Sequence, residues 1–292
     1  MKKPKFQPFF NLSLLLALFV LYSCNETDSD DQMATSELEA SYEVSDLDLV
    51  NEGINDIVDN AYTEVELFAL AKEELSKEEQ ESMQKDRFLS DCVTISVEMT
   101  DTHKEVTLDY GEGCTTRRDN FLSGKIIMMI VKESETPSKS IDYSFDNFYF
   151  NGVNVQGTVN KVRMRQNEDG LPEAHIVKDL TITWEDGSIA SLESDKTRIM
   201  IEGAGNLFWG DNVFQITGNR TYTRRNGVVR TATIVEPLIR NMACRFIVSG
   251  TVEIEKDGEK STLDYGDGEC DATATVTKGD QTIEILLRKK RK

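Results

Sequence analysis

Residues 107–114 read Thr-Leu-Asp-Tyr-Gly-Glu-Gly-Cys, and residues 262–270 read Thr-Leu-Asp-Tyr-Gly-Asp-Gly-Glu-Cys. Each stretch is preceded in the chain by a run rich in apolar residues that begins at another cysteine. This cysteine is Cys92 in the first copy and Cys244 in the second. In the first copy the apolar residues alternate with polar ones, which is typical of a β-strand with one buried face. The sequence therefore predicts a duplicated β-hairpin, each copy bounded by two cysteines.

The positions of these cysteines predict how they pair. Residues that face each other across a hairpin share a midpoint, and that midpoint should lie in the turn. In the first copy the midpoint is His103, within a polar stretch, and in the second it is Asp257, just before Gly258. Zinc is the alternative use of the four cysteines, but the chain has no Cys-x-x-Cys pair and only two histidines. Of the three possible connectivities, we predict Cys92–Cys114 and Cys244–Cys270.

The residues between the two copies continue the same pattern. Signals such as Asn-Gly and Asp-Gly separate short runs of strand character, which favours antiparallel strands. The turn signals are at 151–152, 168–170, 185–187 and 226–227. The runs are at 124–131, 144–150, 158–165, 180–184, 197–201, 213–217 and 228–234. We predict a mainly β domain over residues 87–292, with antiparallel β-sheets forming a sandwich or a strongly curved, barrel-like sheet.

Residues 1–23 are typical of a bacterial export signal. Three lysines precede an apolar run from Phe9 to Tyr22, which is shorter than the roughly 20 residues that a membrane-spanning helix needs. The stretch Leu21-Tyr22-Ser23-Cys24 resembles the lipobox of bacterial lipoproteins, whose cysteine becomes the lipid-bearing N-terminus. The resemblance implies a lipid anchor, with palmitate among its chains, on Cys24, and two or more acyl chains hold a protein stably on a membrane. The alternative is an ordinary signal peptide with a free cysteine.

Negative charge is concentrated behind this signal. Residues 25–86 hold 20 acidic residues and 3 lysines, whereas residues 87–292 hold 32 acidic and 27 basic residues. The nearly balanced body argues against nucleic-acid binding. We predict that residues 24–45 form an acidic flexible tether. In residues 46–86 apolar side chains recur at steps of three and four, which predicts an acidic amphipathic helix.

The predicted helix has two alternative packing partners. It packs either on its own domain or against a partner helix in a coiled coil. Because its charge repels anionic lipid headgroups, we expect the acidic segment to act as a spacer that holds the body away from the membrane.

One region of the β domain is rich in arginine. Arg220, Tyr222 and Arg224 share a strand face because side chains alternate, and Arg230 returns on the neighbouring strand. Such a face suits an anionic glycan, a phosphate group or the acidic surface of a partner protein. The alternative is pairing with acidic residues of adjacent strands.

Other candidate sites have weaker signals. The acidic turn of the second copy offers oxygen ligands for calcium, although its spacing is not that of an EF-hand. These candidates are Asp264, Asp267, Glu269 and Asp271. The two histidines, His103 and His175, lie in a predicted turn and at a loop or strand start, and the chain contains no phosphate loop, dinucleotide fingerprint or zinc-protease helix. We predict no resident metal, no cofactor and no catalytic residue.

Several motifs resemble a group of uncharacterised lipoproteins from Bacteroidota-type bacteria. They are Trp209–Phe214, Pro237-Leu238, Cys244–Gly250 and Leu263–Gly268, within a likeness that covers most of residues 90–287. The acidic stretch Asn25–Asp31 resembles the surface-export signal of such lipoproteins. The resemblance implies an outer-membrane, lipid-anchored protein exposed at the cell surface, and it implies no activity.

These observations favour a non-enzymatic binding or structural module of the envelope, tethered to the membrane, with a glycan or a protein as its partner. One alternative is a hydrolase that acts on glycans or peptides, since acidic residues are abundant. A second alternative is a carrier of an apolar ligand, which would require a large cavity within the sheet.

Overall fold

The computed structural model describes residues 29–74, 89–116, 119–131, 138–204 and 209–287, and within the long helix it describes the side chains of residues 42–43 and 46–66. The predicted signal peptide, Cys24 and the basic C-terminal residues lie outside these ranges. Two compact units divide the chain, residues 1–37 and residues 38–292. Every contact described below lies within the second unit.

The described residues form one long helix and fourteen strands. Helix α1 spans Ser29–Glu74, and a short 3-10 helix spans Trp209–Asp211. The strands are β1 (Thr94–Met99), β2 (His103–Asp109), β3 (Cys114–Thr115), β4 (Phe121–Val131), β5 (Ser138–Phe150), β6 (Val153–Met164), β7 (Glu173–Thr183), β8 (Ile189–Glu202), β9 (Val213–Thr223), β10 (Val229–Asn241), β11 (Ser249–Lys256), β12 (Glu259–Asp267), β13 (Thr273–Lys278) and β14 (Gln281–Leu286).

All fourteen strands belong to a single antiparallel sheet. Each strand pairs with its neighbour in the chain, except that β4 pairs with both β2 and β3. The order therefore runs from β1 at one edge to β14 at the other, and the sheet is not closed. The predicted mainly β, antiparallel class is confirmed, and of the two predicted architectures the single sheet is the one observed.

Two of the predicted turn sequences form the tight turns of hairpins in the structure. The Asn151-Gly152 and Asp257-Gly258 pairs both have positive φ, the backbone of the two-residue turns that suit the twist of a hairpin. Both predicted disulfides are present, with Cα–Cα distances of 5.7 Å for Cys92–Cys114 and 5.6 Å for Cys244–Cys270. The pairing prediction is thus confirmed.

The register behind that prediction was wrong for the first hairpin. Thr94 pairs with Asp109 and Met99 with Lys104, so the turn lies at residues 100–103 rather than being centred on His103. Cys114 lies beyond the hairpin, after a glycine turn, on the separate strand β3. The disulfide therefore ties the residues before β1 to a strand that pairs with β4.

Helix α1 packs on its own domain, as one of the two predicted alternatives has it, but it begins earlier than predicted. It begins at Ser29, inside the segment predicted to be a flexible tether, and no glycine or proline interrupts the sequence before Gly53. All eight residues from Ile54 to Ala61 are buried. Since consecutive helical side chains point in all directions around the axis, the sheet must curve around this part of the helix.

Residues 47–64 are therefore a central element of the body, which corrects the expectation that they form a spacer outside it. The main apolar core includes Ile54 and Val58 of the helix together with inward side chains such as Leu108, Ile126 and Val252. No helix in the part of the chain that the structure describes is long and apolar enough to cross a membrane.

Candidate functional site

The enclosed part of helix α1 carries two stripes of opposite character. Asp48, Glu52, Asp56 and Asp59 follow one another at steps of four, four and three residues, which places them on one face. The opposite face carries Leu47, Val50, Ile54, Ile57, Val58 and Ala61, all buried. An ordinary amphipathic helix leaves its acidic face in water, but here the four carboxylates are also buried.

The sheet presents cations to that acidic face. Side chains alternate along each strand, so lysines and arginines at inward positions continue the rows formed by inward apolar residues. The buried cations on strands β6 to β10 that face this part of the helix include Lys161, Lys178, Lys196, Arg198, Arg220 and Arg240. We call these residues and the helix carboxylates that they meet the ion-pair layer.

Asp48 holds the end of the layer nearest to β9 and β12. Arg220 Nη1 and Nη2 donate to its two carboxylate oxygens at 2.6 and 2.9 Å, and the hydroxyl of Tyr265 donates at 2.7 Å. The two parallel hydrogen bonds use the forked shape of the guanidinium, which lysine does not offer. Asp48 therefore connects the helix to two strands that are not neighbours.

The middle of the layer joins β8 to β10. Lys196 Nζ donates to Glu52 Oε1 at 3.1 Å. Asp56 accepts from Arg198 Nη2 at 2.6 Å with one oxygen and from Arg240 Nη2 at 2.8 Å with the other. Arg240 also donates to the carbonyl oxygens of Cys244 and Phe246, which fixes the connection between β10 and β11.

Asp59 and Glu66 hold the remaining strands. Asp59 Oδ1 accepts from Lys161 Nζ at 2.6 Å and from Arg163 Nη1 at 2.8 Å. Glu66 accepts from Lys104 at 2.5 Å and from Lys139 at 2.8 Å, in a more exposed setting. One helix thereby bonds to strands that are distributed over most of the sheet.

The nearby cations lower the pKa values of two carboxylates of the layer, Glu52 and Asp59. Burial alone raises the pKa of Asp59, but the charges of Lys161 and Arg163 outweigh it and lower the pKa to about 2. Burial likewise opposes ionisation of Glu52, and the nearby Lys196 and Arg198 hold its pKa well below the usual range. Both groups are ionised in the folded protein at neutral pH.

Two lysines experience the opposite balance. Burial lowers the pKa of Lys178 to about 7, and the charge of Glu52 only partly opposes it. Lys178 Nζ donates to the side-chain oxygen of Asn51, a neutral partner, and to the Asn51 carbonyl. Burial also lowers the pKa of Lys161, to about 8.

The four residues of the predicted anion-binding face lie on the two paired strands β9 and β10 and at the end of β9, and two of them bond to helix α1. Arg220, Tyr222, Arg224 and Arg230 are all buried. Arg220 bonds to Asp48, and Arg224 Nε bonds to Glu43 of the same helix. For Arg220 and Arg224, the observed partner is thus an acidic side chain of helix α1. The four- and three-residue steps of the helix acids were the sequence signal for this pairing.

The weak calcium candidates act as turn residues in the structure. Asp264 Oδ1 accepts from the backbone N–H of Gly266 at 2.8 Å, and Asp271 Oδ1 accepts from that of Thr273 at 3.0 Å. Asp267 and Glu269 are exposed. Within the described ranges, no group of three or more His, Cys, Asp or Glu side chains is arranged to hold a metal ion.

The two histidines lie on the exterior. His103 contacts the hydroxyls of Thr100 and Thr102 in the first hairpin turn. His175 Nε2 lies 2.6 Å from Asp195 Oδ1, where both side chains are about half exposed on the outer face of β7 and β8. Neither residue lines the cavity beside helix α1.

A cavity of about 550 Å³ lies beside helix α1. Its apolar wall consists largely of buried side chains from the helix and from several strands and their connections. These are Leu47, Val50, Ile57, Leu89, Phe150, Val153, Ile182, Ile247 and Leu287. Gly53 also faces it, and a Cβ there would lie 2.6 Å from Phe150 Cζ, so the glycine makes room for that ring. We call this space the helix cavity.

The polar lining of the helix cavity falls into two parts. Asp48, Glu52, Asp56 and Arg240 are buried members of the ion-pair layer and balance one another's charge or that of neighbouring strands. The more exposed side chains form the rim, where the guanidinium of Arg225 stacks on Trp184 at 3.7 Å from the ring centroid. Asp46, Asn120, Asn151 and Arg245 also lie at this rim.

Three kinds of comparison were made with known proteins, and none identified a relative of this chain. No family model, curated protein or solved structure matches the chain. The resemblance to envelope lipoproteins of Bacteroidota-type bacteria therefore stays a prediction from the sequence motifs.

Proposed function

We propose that this protein is a lipid-anchored, non-enzymatic binding module of the bacterial outer membrane, exposed at the cell surface, and that its body holds an apolar small molecule in the helix cavity. The cavity itself carries the proposal. Its volume of about 550 Å³ is within the range of small-molecule sites, roughly 300–1,000 Å³, and its wall is chiefly apolar with a few polar groups.

The charges around the cavity support binding rather than hydrolysis. A hydrolase that uses two carboxylates needs one of them to act as a proton donor and the other as a base or nucleophile. Of the four carboxylates in the lining, Asp48, Glu52 and Asp56 each accept hydrogen bonds from strand cations. The cations hold the pKa of Glu52 low, which is the wrong direction for a general acid.

The proposed location of the protein, anchored in the outer membrane, is based on the first residues of the chain. The apolar run that ends at Cys24 and the acidic residues that follow it support a lipid anchor. Replacing Cys24 with Ser should abolish incorporation of labelled palmitate and release the protein from the membrane fraction. Protease treatment of intact cells then tests surface exposure: loss of the protein, with a periplasmic control intact, is expected.

Ligand binding is tested with a neutral fluorescent probe, N-phenyl-1-naphthylamine, on the full chain without its signal peptide. Fluorescence should rise saturably on binding. Val153→Phe places a larger ring in the cavity wall and should weaken probe binding by about tenfold, an expected loss of about 1.4 kcal/mol. Val229→Phe is the matched control, because Val229 is 55% exposed and does not line the cavity. Absence of probe binding, or equal affinity in both variants, would overturn the proposal.

A further inference from the structure

The rim of the helix cavity contains a group of donors that the ion-pair layer does not use. Asn120 lies just before β4, Asn151 lies in the turn between β5 and β6, and Arg245 lies in the connection between β10 and β11. All three line the cavity. We call them the rim cluster.

Hydrogen bonds within the rim cluster hold Asn120 in one orientation. Its Oδ1 accepts from Asn151 Nδ2 at 3.0 Å and from Arg245 Nη2 at 3.1 Å. Its backbone N–H donates to Thr116 Oγ1 at 3.1 Å, and the backbone N–H of Phe121 donates to Asn151 Oδ1 at 2.8 Å. The acceptor oxygen of Asn120 is therefore occupied twice.

The rim cluster combines an amide donor with a positive charge. Among the described residues, the Asn120 Nδ2 amide donates to no acceptor. Arg245 contributes a permanent positive charge and five N–H groups. A carboxylate or a phosphate has acceptors only, so it complements this arrangement, whereas a hydroxyl or an amine complements it less well.

The charges elsewhere in the lining agree with an anionic ligand. The buried carboxylates Asp48, Glu52 and Asp56 are each within 3.1 Å of a strand cation and add no unbalanced charge. Asp46 is the remaining carboxylate of the lining, which also contains Arg245 of the rim cluster. Beyond the rim the wall is formed by buried aliphatic and aromatic side chains.

We infer that the ligand of the helix cavity is a single-chain amphiphile with an anionic head group, whose acyl chain lies against the apolar wall and whose head group binds Asn120 and Arg245. This inference rests on the proposed function and adds to it the chemical class of the ligand. The apolar wall would contact the acyl chain of the ligand, and the donors of the rim cluster would bind its acidic head group.

Displacement of bound N-phenyl-1-naphthylamine from the full chain without its signal peptide tests the inference. Dodecanoate and dodecyl phosphate carry the two anionic head groups, and 1-dodecanol is the neutral compound with the same chain. Dodecanoate or dodecyl phosphate should displace the probe at about tenfold lower concentration than 1-dodecanol. The stronger of the two identifies the head group, and inorganic phosphate alone should not displace the probe.

Two substitutions locate the head group. Asn120→Asp keeps both hydrogen bonds at the accepting oxygen but replaces the amide donor with a negative charge, so the preference for the anion should be lost while 1-dodecanol still binds. Arg225→Gln is the matched control, since Arg225 stacks on Trp184 and its nearest carboxylate is Asp186 at 3.8 Å. It should keep the preference.

The outcomes separate the two proposals. If the probe does not bind, the proposed function fails and the ligand class fails with it. If the probe binds but 1-dodecanol and dodecanoate displace it equally, the binding function stands and the anionic ligand class is overturned. If Arg225→Gln removes the preference and Asn120→Asp does not, the place assigned to the head group is overturned. Thermal unfolding of each variant confirms that a changed preference does not reflect a changed fold.

Discussion

On one face of helix α1, four carboxylates meet lysines and arginines of the sheet; on the opposite face, aliphatic side chains meet an apolar core. Both faces are buried, yet they contribute differently to the fold. Apolar packing stabilises in proportion to the buried area and tolerates small shifts of one element along another. A buried ion pair adds little net stability, because desolvation offsets the attraction between the charges, but it strongly disfavours any arrangement that leaves a charge unpaired.

The difference between the acidic and the apolar face explains how helix α1 can be positioned inside a sheet of fourteen strands. The apolar face supplies the driving force for insertion. The acidic face sets depth and rotation, because a shift of the helix separates Asp48 from Arg220 and Asp56 from both Arg198 and Arg240. Without the helix, the inward cations of strands β6 to β10 would lie unpaired in an apolar interior, so we expect the curved sheet to require the helix in order to fold.

The largest effect is expected when one carboxylate of the ion-pair layer is removed. Asp56→Ala leaves two buried arginines, Arg198 and Arg240, without their shared anion. The free energy of unfolding should fall by about 3–5 kcal/mol, measured by urea denaturation. Glu253→Gln is the control, because its pair with the half-exposed Lys260 lies at the surface and should contribute less than about 1 kcal/mol. Similar small losses in both variants would mean that the layer does not position the helix.

Acid should weaken the charged face selectively. The pKa of Asp59 is lowered from 3.8 to about 2 in the folded protein, and that of Glu52 is lowered from 4.5. As the pH falls from 5 toward 2, the unfolded chain therefore binds protons before the folded one, and the free energy of unfolding decreases. Asp59 alone accounts for about 2 kcal/mol of this loss on the scale of 1.36 kcal/mol per pKa unit.

Urea denaturation at a series of pH values measures this loss. Asp59→Asn is the matched variant: it starts less stable at pH 7, and its stability should depend less on pH between 5 and 2. An identical pH slope in the two proteins would show that Asp59 is not a source of the acid sensitivity.

A double-mutant cycle on Asp48 and Arg220 distinguishes attraction from the cost of an unpaired charge. Asp48→Leu and Arg220→Met should each destabilise strongly, whereas the double variant should recover about 1–3 kcal/mol relative to the sum of the two single losses. Chemical denaturation of the four proteins gives the coupling. Tyr265, which donates to Asp48, loses its partner in every variant that lacks the carboxylate, so Tyr265→Phe is included as a background. Strict additivity would contradict direct pairing of the two side chains.

The parts of this fold that could be predicted from the sequence depend on local signals. The Asp257-Gly258 turn fixes its hairpin because two consecutive residues adopt positive φ. The hairpin brings together the segments before β11 and after β12, which carry Cys244 and Cys270. The first disulfide was predicted correctly although Cys114 lies past the hairpin, because the glycine turn before it returns the chain toward Cys92.

Packing of the helix on its own domain was one of two predicted alternatives, but burial of its acidic face was not predicted, because it depends on contacts between residues far apart in the chain. Lys178, Lys196 and Arg220 interrupt the apolar alternation of their strands, so the predicted strands were too short. Of these three cations only Arg220 was considered, as part of an anion-binding face or of a pair with an acid of an adjacent strand. Their partners lie more than a hundred residues away, in a helix whose charge suggested an exposed spacer. The rim cluster likewise assembles three connections that are distant in sequence.

The smallest expected effect lies on the apolar face, and it completes the comparison. Ile54 is fully buried, and Ile54→Val removes one methylene group while it keeps the branched shape. The free energy of unfolding should fall by about 0.5–1.5 kcal/mol, with no change in the pH dependence between 5 and 2. A loss as large as that of Asp56→Ala would mean that apolar contacts also fix the position of the helix. One missing methylene group could have so large an effect only if the helix shifted and the neighbouring ion pairs were broken. A loss in the expected range, together with the steep cost of an unpaired charge, would assign the driving force for insertion to one face and the choice of position to the other.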